Sequence, residues 1–303
     1  MKSTPRCLSC YIDDIAGALD LLDAPAKDKT LVLKKSLAYM GEHLDDNAPP
    51  SYTITNLHRI LKRTLGMNMP FAKQRRVCLN AGIAVAATVR RRAARLSGLA
   101  RFRFLVRWAV AANSLDFRTA GAGYGLSKES VQKTMDSYFA RGMAVDHSAK
   151  LYAAARSARR VVYIPDNVGE IALDGLLVSL LRSLGAEVTV PMRGGPITSD
   201  AVMADALAAG MDTAASRVIL AGPDTLGISF REMSKELSGA LRAADLIIAK
   251  GQANYYVLSE VAARYPGAAI ACLFTAKCGI VWKAFGCSGK SSIAAVIKKG
   301  GRS

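Results

Sequence analysis

The chain is poor in the residues that most often carry metal and nucleophilic chemistry. Only three of its 303 residues are histidine, His43, His58 and His147, and they lie far apart. This argues against a histidine-rich zinc centre. With no Gly-x-Ser-x-Gly elbow in the chain, it also argues against a Ser-His-Asp triad. Cys7 and Cys10 form a C-x-x-C, but no second pair completes a four-thiolate site, and six cysteines at this length make no disulfide scaffold. Cys78, Cys272, Cys278 and Cys287 read as small buried hydrophobes. The longest apolar stretch, Ala81 to Val89, is far too short to cross a bilayer, and MKSTPRCLSC leads into no signal-peptide core. An apolar fraction of 51% excludes global disorder. The expectation is a cytoplasmic globular protein whose chemistry runs on Asp, Asn and Lys.

One further absence is local. From Asn47 to Leu115 there is no Asp or Glu, while thirteen Lys or Arg fall between Arg59 and Arg107. The net charge is +17, so this stretch carries most of the surplus. A surplus of this kind favours anionic partners: nucleic acid, an anionic membrane surface or phosphorylated small molecules.

The first half reads as helices. Apolar residues recur at three- and four-residue spacing over Leu31–Leu44 and Thr53–Leu65, with Pro49-Pro50 between them. Val77–Val89 and Phe102–Ala112 follow. Gly121, Gly123 and Gly125 mark a loop, and Ser127 is the expected N-cap of a helix to Arg141, with Glu129 favouring its positive end. Near residue 146 the pattern changes. Short apolar strands (Val161–Ile164, Glu187–Val190, Arg217–Leu220, Leu246–Ala249, Ala269–Phe274) alternate with helices (Ile171–Leu184, Ser199–Ala209, Ser234–Ala243, Tyr256–Arg264). This predicts an α/β fold: a three-layer α/β/α core on a mostly parallel sheet at 146–303, with a helical subdomain at 1–145.

Ligands of open α/β sheets bind beyond the carboxyl ends of the strands. There this sequence places Asp166, Asn167 and Glu170, then a Gly-Gly-Pro loop and Asp200, then Lys250, Gln252 and Asn254, then Lys277 and Cys278. Asp and Asn oxygens suit a hard divalent cation, and lysines suit a phosphate. Asp166 alone is equally well read as a helix cap; the coincidence of several strand ends favours a site. Asp174 and Asp205 fall on helices and read as supporting or surface residues.

The run Val162-Tyr163-Ile164-Pro165-Asp166-Asn167-Val168-Gly169-Glu170-Ile171-Ala172-Leu173-Asp174 resembles the signature of the metal-dependent damage-control phosphatases, long filed as domain of unknown function 89. Asn113-Ser114-Leu115-Asp116-Phe117, Pro196-Ile197-Thr198-Ser199-Asp200 and Ala249-Lys250-Gly251-Gln252-Ala253-Asn254 agree and come in the family's order. Cys7-x-x-Cys10 and Ala276-Lys277-Cys278 are similar to further family marks. The resemblance spans nearly the whole chain and implies a phosphatase of small phosphorylated metabolites, such as sugar phosphates or related damaged compounds. It implies a divalent metal (Mg, Mn, Co or Ni) on Asp166, Asn167 and Asp200, with Lys250 on the substrate phosphate. Asn113, Asp116, Asn254 and Lys277 would line the substrate site. Tyr256 and Met69-Pro70-Phe71 depart from the family, which often has Glu and Asp-Pro-Tyr there.

Two motifs are decoys. Gly286–Ser291 lacks the first glycine of a P-loop, that position being Ala284, and the Gly121–Gly125 run lacks dinucleotide-binding spacing. The rival reading is a nucleic-acid-binding protein using the basic Arg90–Arg107 stretch, with Phe102, Phe104 and Trp108 as stacking groups. The bland reading of the same stretch is a solvated basic helix whose aromatics face the core. The sequence is compatible with a homo-oligomer and calls for no membrane partner.

Overall fold

The computed structural model describes residues 1–114, 116–117 and 128–297. Three helices open the chain: α1 (Cys7–Leu21), α2 (Ala26–His43) and α3 (Pro50–Leu65). Pro50 starts α3 where its missing N–H costs nothing, and Gly66 ends it in the left-handed conformation. Next come α4 (Ala72–Ala93), α5 (Gly98–Ala112) and α6 (Lys128–Arg141), the last with Glu129 in its first turn. Ser127, Leu115 and the Gly121–Gly125 run lie outside the described residues.

The second half runs β1 (Val145–Asp146), α7 (Ser148–Ser157), β2 (Arg160–Ile164), α8 (Ile171–Ser183), β3 (Glu187–Arg193), α9 (Met203–Ala208), α10 (Met211–Ala214) and β4 (Arg217–Gly222). It closes with α11 (Lys235–Ala243), β5 (Leu246–Lys250), α12 (Gln252–Val261), β6 (Ala269–Ala276), α13 (Gly279–Ala284) and β7 (Ser291–Ile297). The seven strands form one sheet in the order β1-β7-β6-β5-β2-β3-β4, parallel throughout except between β6 and β7. The α/β expectation therefore holds.

Side chains alternate across the strands as the two-residue period requires. Val161, Tyr163, Leu246 and Ile248 join one core with α4, α5, α7 and α8. Val162, Ile164, Ile247 and Ala249 join the other, with α11 and α12. A third, smaller cluster ties α1, α2 and α3 together with Phe71. These cores correct the expected division at residue 145. α4 and α5 belong to the helical layer of the sheet, and Val145 itself pairs with Ile293 at the sheet edge. The reason is that the apolar faces of α4 and α5 are buried mainly against α8 and the sheet, with α6 packed on them.

Two more readings change. The helix expected over Ser199–Ala209 is shorter: Asp200 and Val202 are taken up in isolated bridges to Asn167 and Arg193, and α9 starts only at Met203. The Gly286–Ser291 segment runs from a helix into a strand, the reverse of a P-loop.

Candidate active site

Chain order places β3 and β4 on one side of β2, and β5 and β6 on the other. The loops after β2 and β5 thus part at the topological switch point, the usual cleft of such sheets. The loop after β2 carries Asp166 and Asn167. It is zipped to the loop after β3 by two backbone bonds, Val168 N to Ser199 O (2.8 Å) and Ala201 N to Asp166 O (2.7 Å). Across the cleft, Gly251 follows β5 with φ +80°, and a Cβ there would lie 1.9 Å from Asp166 Oδ2. Only glycine lets the carboxylate rest against that backbone. On the helical side, a Cβ on Gly82 of α4 would lie 2.0 Å from the Gly169 carbonyl, so α4 closes directly onto this loop.

Asp166 is not a helix cap. Its Oδ2 accepts from the side-chain amides of Asn113 (2.9 Å) and Asn167 (2.8 Å). Both amides also donate to Glu170 Oε1, at 2.9 and 2.8 Å. Burial, then the neighbouring Glu170 and Asp200 carboxylates, push the Asp166 carboxyl well above its usual range. Asp200 is fully buried; its oxygens accept from Gly227 N (2.9 Å) and the Thr198 hydroxyl (2.8 Å). A guanidinium nitrogen of Arg193, at the end of β3, lies 3.2 Å from Asp200 Oδ1 without hydrogen-bond alignment, and the buried Arg193 nitrogens have no hydrogen-bond partner.

A cavity of about 260 Å³ opens on this cluster, and Asp116, Asp166, Asn167, Ser199, Gln252 and Lys277 are among its lining residues. Lys277 donates to Asp116 Oδ2 at 2.7 Å. Burial disfavours its ammonium, but Asp116 and Asp166 outweigh that and hold its pKa above the ordinary lysine value.

Three predicted residues stand elsewhere than expected. Lys250 does not face the cavity: its buried ammonium binds Glu170 and, at 2.8 Å, Asp174. Burial would lower its pKa, but those carboxylates raise it to about 12, so the ammonium is permanently charged and already committed. Asn254 is also buried; it accepts from Ile228 N (2.8 Å) and donates to the Lys250 carbonyl (2.7 Å), clamping two loops. Asn113 is buried too, and it orients Asp166 and accepts from Thr275 N (2.9 Å). These three shape the site from behind, whereas Asp116, Asp166, Asn167 and Lys277 meet the cavity. Cys278, expected to be buried, is half-buried and also lines it.

Sequence reasoning missed Arg193 and Ser199 as site residues, and assigned no role to Glu170 or Gln252. Glu170 and Asp174 are four apart at the start of α8, a spacing that brings both to one lysine. Arg193 ends a strand, as the chosen residues do. Arg75, which donates from α4 to the Thr198 and Asp200 carbonyls (both 2.9 Å) and to Asp205, had no local signal.

The oxygens fit a hard divalent cation. Five carboxyls (Asp116, Asp166, Glu170, Asp174 and Asp200) gather with three cations (Lys250, Lys277 and Arg193), so carboxyls outnumber cations here, and burial pushes Asp166 toward its neutral form. The Ser199 hydroxyl lies 2.7 Å from Asp116 Oδ1 and 2.6 Å from Asn167 Oδ1. It has one proton to share between the two acceptors. Among the described residues no three Asp, Glu, His or Cys side chains form a ready-made metal cage. A cation would therefore draw on the Asn167 amide oxygen together with Asp166 and Asp200.

The chain is similar to known proteins over nearly its whole length. The damage-control phosphatase ARMT1-like domain matches residues 3–293. The chain belongs to this damage-control phosphatase family. Damage-control phosphatase PH1575 of Pyrococcus horikoshii is 28% identical over 264 residues, covering 86% of this chain and 88% of the relative. A damage-control phosphatase of Archaeoglobus fulgidus is 27% identical over 307 residues, covering 98% of this chain and 100% of the relative. The crystal structure of the DUF89 family protein PH1575 superposes with a TM-score of 0.85 at 26% identity, over 98% of this chain and all of that one. Among the described residues no helix is long and apolar enough to cross a membrane.

Proposed function

We propose that this family member is a divalent-metal-dependent phosphomonoester hydrolase acting on small phosphorylated metabolites. One observation carries the reading: an oxygen-rich cluster in which carboxyls outnumber cations, buried at the switch point, beside Lys277, the one lysine among the cavity's described lining residues. A phosphate dianion would be repelled by that cluster alone. Asp166, Asn167 and Asp200 would hold Mg²⁺, Mn²⁺, Co²⁺ or Ni²⁺. Such an ion supplies positive charge to the phosphoryl oxygens and acidifies a nearby water.

The chain's own residues do the rest. Lys277, its ammonium kept charged by Asp116, donates to a phosphoryl oxygen as charge builds there. Asn113 and Asn167 fix the rotamer of Asp166. Lys250 neutralises Glu170 and Asp174 behind the reacting centre, so its contribution is to position rather than to touch substrate. Hydrolysis adds water to phosphorus and releases the alcohol and inorganic phosphate.

The test is phosphate release from an aryl phosphate and a panel of sugar phosphates. The protein is stripped of metal, then given each of the four ions in turn. Activity restored by an ion in the native chain but not in Asp166→Ala supports the proposal. Full activity in strong chelator would overturn it.

The nucleic-acid reading loses its footing in the fold. Phe102 and Trp108 are buried, and Trp108 stacks on Phe139 with centroids 4.4 Å apart. Phe104 packs edge-on against both rings of that pair. The aromatics serve the core and offer no stacking platform for bases.

A further inference from the structure

Resting on the phosphatase reading, we infer that the site takes phosphate monoesters of apolar alcohols, with the apolar body held in a second cavity that continues from the first. This second cavity is the larger, about 510 Å³ against about 260 Å³. It lies where α1, the start of α3, α12 and the start of α13 converge. Cys10, Ile54, Tyr256 and Cys278 line both cavities, so they form the junction between them. The junction begins beside the phosphate-side lysine. Cys278 follows Lys277 in the chain, a Cα step of about 3.8 Å. The Lys277 backbone N donates to Gln252 Oε1 at 2.7 Å, and the Gln252 side-chain amide donates to the Tyr256 hydroxyl. A phosphate ester held at Lys277 thus has the second cavity within reach of its first few carbons.

The two cavities differ in chemistry. The first is lined by several Asp carboxyls, whereas no Asp or Glu is among the described residues lining the second. Buried Cys7, Tyr11 and Pro50 and half-buried Ile54 and Ile280 supply its wall, and thiols behave there as small hydrophobes. The polar tips of the wall are already engaged. The Tyr11 hydroxyl pairs with Ser3 Oγ at 2.9 Å, the Tyr256 hydroxyl with Gln252, and the Met1 ammonium with Glu260 at 2.7 Å. Arg6 and Lys283 are exposed, so their charged ends stay in water while their stems add apolar surface. A polyol body entering here would shed water without gaining partners. An apolar body gains by leaving water, roughly in proportion to the area it buries.

The experiment compares ethyl, butyl and hexyl phosphate with a hexitol phosphate, the polyol of the same chain length, using metal-restored full-length protein. Two quantities are read: kcat/KM, and the calorimetric affinity of the matching alkylphosphonates, which cannot be hydrolysed. kcat/KM should rise about fourfold for each methylene that enters the second cavity, the transfer worth of a buried CH₂. The hexitol ester should fall below hexyl phosphate by more than about tenfold. Ile280 and Ser9 line only the second cavity. Ile280→Trp fills it from α13 and should bring the hexyl-to-ethyl ratio below about twofold, because the methylenes are then left in water. Ser9→Trp fills it from an exposed position on α1, so the test does not hang on one variant folding. Loss of the ratio in either filled variant supports the inference. A flat series in the native chain, a hexitol ester equal to hexyl phosphate, or a ratio unchanged in both variants would overturn it. Phosphonate affinity that climbs with chain length, without turnover of any ester, would support the inference and sink only the phosphatase reading. Turnover that ignores chain length would do the reverse.

Discussion

The acid-free stretch from Asn47 to Leu115 and the strand-end cluster around Asp166 are electrostatic opposites, and they perform opposite tasks. The first carries thirteen cations and no acid. The simplest reading of such a stretch is a positive rim that draws phosphorylated substrates to the site. The structure assigns several of them to bracing instead. Arg59 and Lys62 of α3 bind Asp224 after β4, and Lys62 also donates to the Pro196 carbonyl at 2.9 Å. Arg75 holds the Thr198–Asp200 loop. Arg107 donates to the Phe139 carbonyl, and Arg92 lies over the Phe104 ring. The cavity itself is lined by Asp13, Asp14, Asp116 and Asp166, with Lys277 among them. A high net charge thus says little about the sign at the site; here the cations hold an acidic centre in shape.

That contrast can be broken at either region, and the largest effects belong to the acidic one. Asp166→Ala should cut phosphate release by more than about a hundredfold while far-UV circular dichroism stays native, since even outer-shell partners of such sites are worth up to that much. Gly251→Ala should be nearly as damaging, because the added Cβ would overlap the Asp166 carboxylate and force a strained φ. A stability loss of about 1–3 kcal/mol in urea titration should accompany it.

The bracing role predicts the next effect. Arg75→Leu leaves the buried Thr198 and Asp200 carbonyls without their side-chain donor and the Asp205 carboxylate without its ion-pair partner. Unfolding should become easier by about 3–5 kcal/mol, the cost of breaking a buried pair from one side, and turnover should fall with loop order. A change under 1 kcal/mol, a bound set by what exposed pairs are worth, would show that the clamp is incidental.

Smaller effects come from the exposed charges. Replacing Arg90, Arg91, Arg92 and Arg95 together by Gln should leave kcat/KM within about twofold at physiological salt, where charges beyond about 8 Å are largely screened. A steep loss would restore the steering rim. Smallest is the acid limb of stability. Asp224 is partly buried, which works against ionisation, but Lys62 and Arg59 outweigh it and hold its carboxyl below the ordinary range. Its contribution is therefore complete above the unfolded pKa of about 3.9 and fades as pH falls through the lower folded value. Asp224→Asn should flatten stability against pH there by no more than about 1 kcal/mol, as expected for a pair open to solvent.

The fold was largely legible in the sequence because its signals are local. Strands such as Val161–Ile164 and Leu246–Ala249 are apolar on both faces, as parallel strands buried on both sides must be. Asp166, Asn167, Asp116 and Lys277 were legible by their place after strands or beside a motif. Lys250 and Asn254 were located but given the wrong environment, because chain position does not reveal which way a strand-end side chain turns. Lys250 turns inward because Glu170 and Asp174 lie one helical turn apart and meet it there. Arg75 and the Asp14–His58 pair were illegible for a different reason: their partners are 44 or more residues away in the chain. The Asp14–His58 pair forms as α1 packs on α3, and the Arg75 clamp forms only once α4 has packed against the sheet.

The central claim is that the carboxyl-rich centre at the switch point is completed by a divalent cation. Calorimetric titration of chelator-stripped protein with Mn²⁺ tests it most directly, because it needs no knowledge of the substrate. The account predicts saturable binding in the native chain that is lost in both Asp166→Ala and Asp200→Ala. No binding, or binding undiminished in those variants, would contradict it.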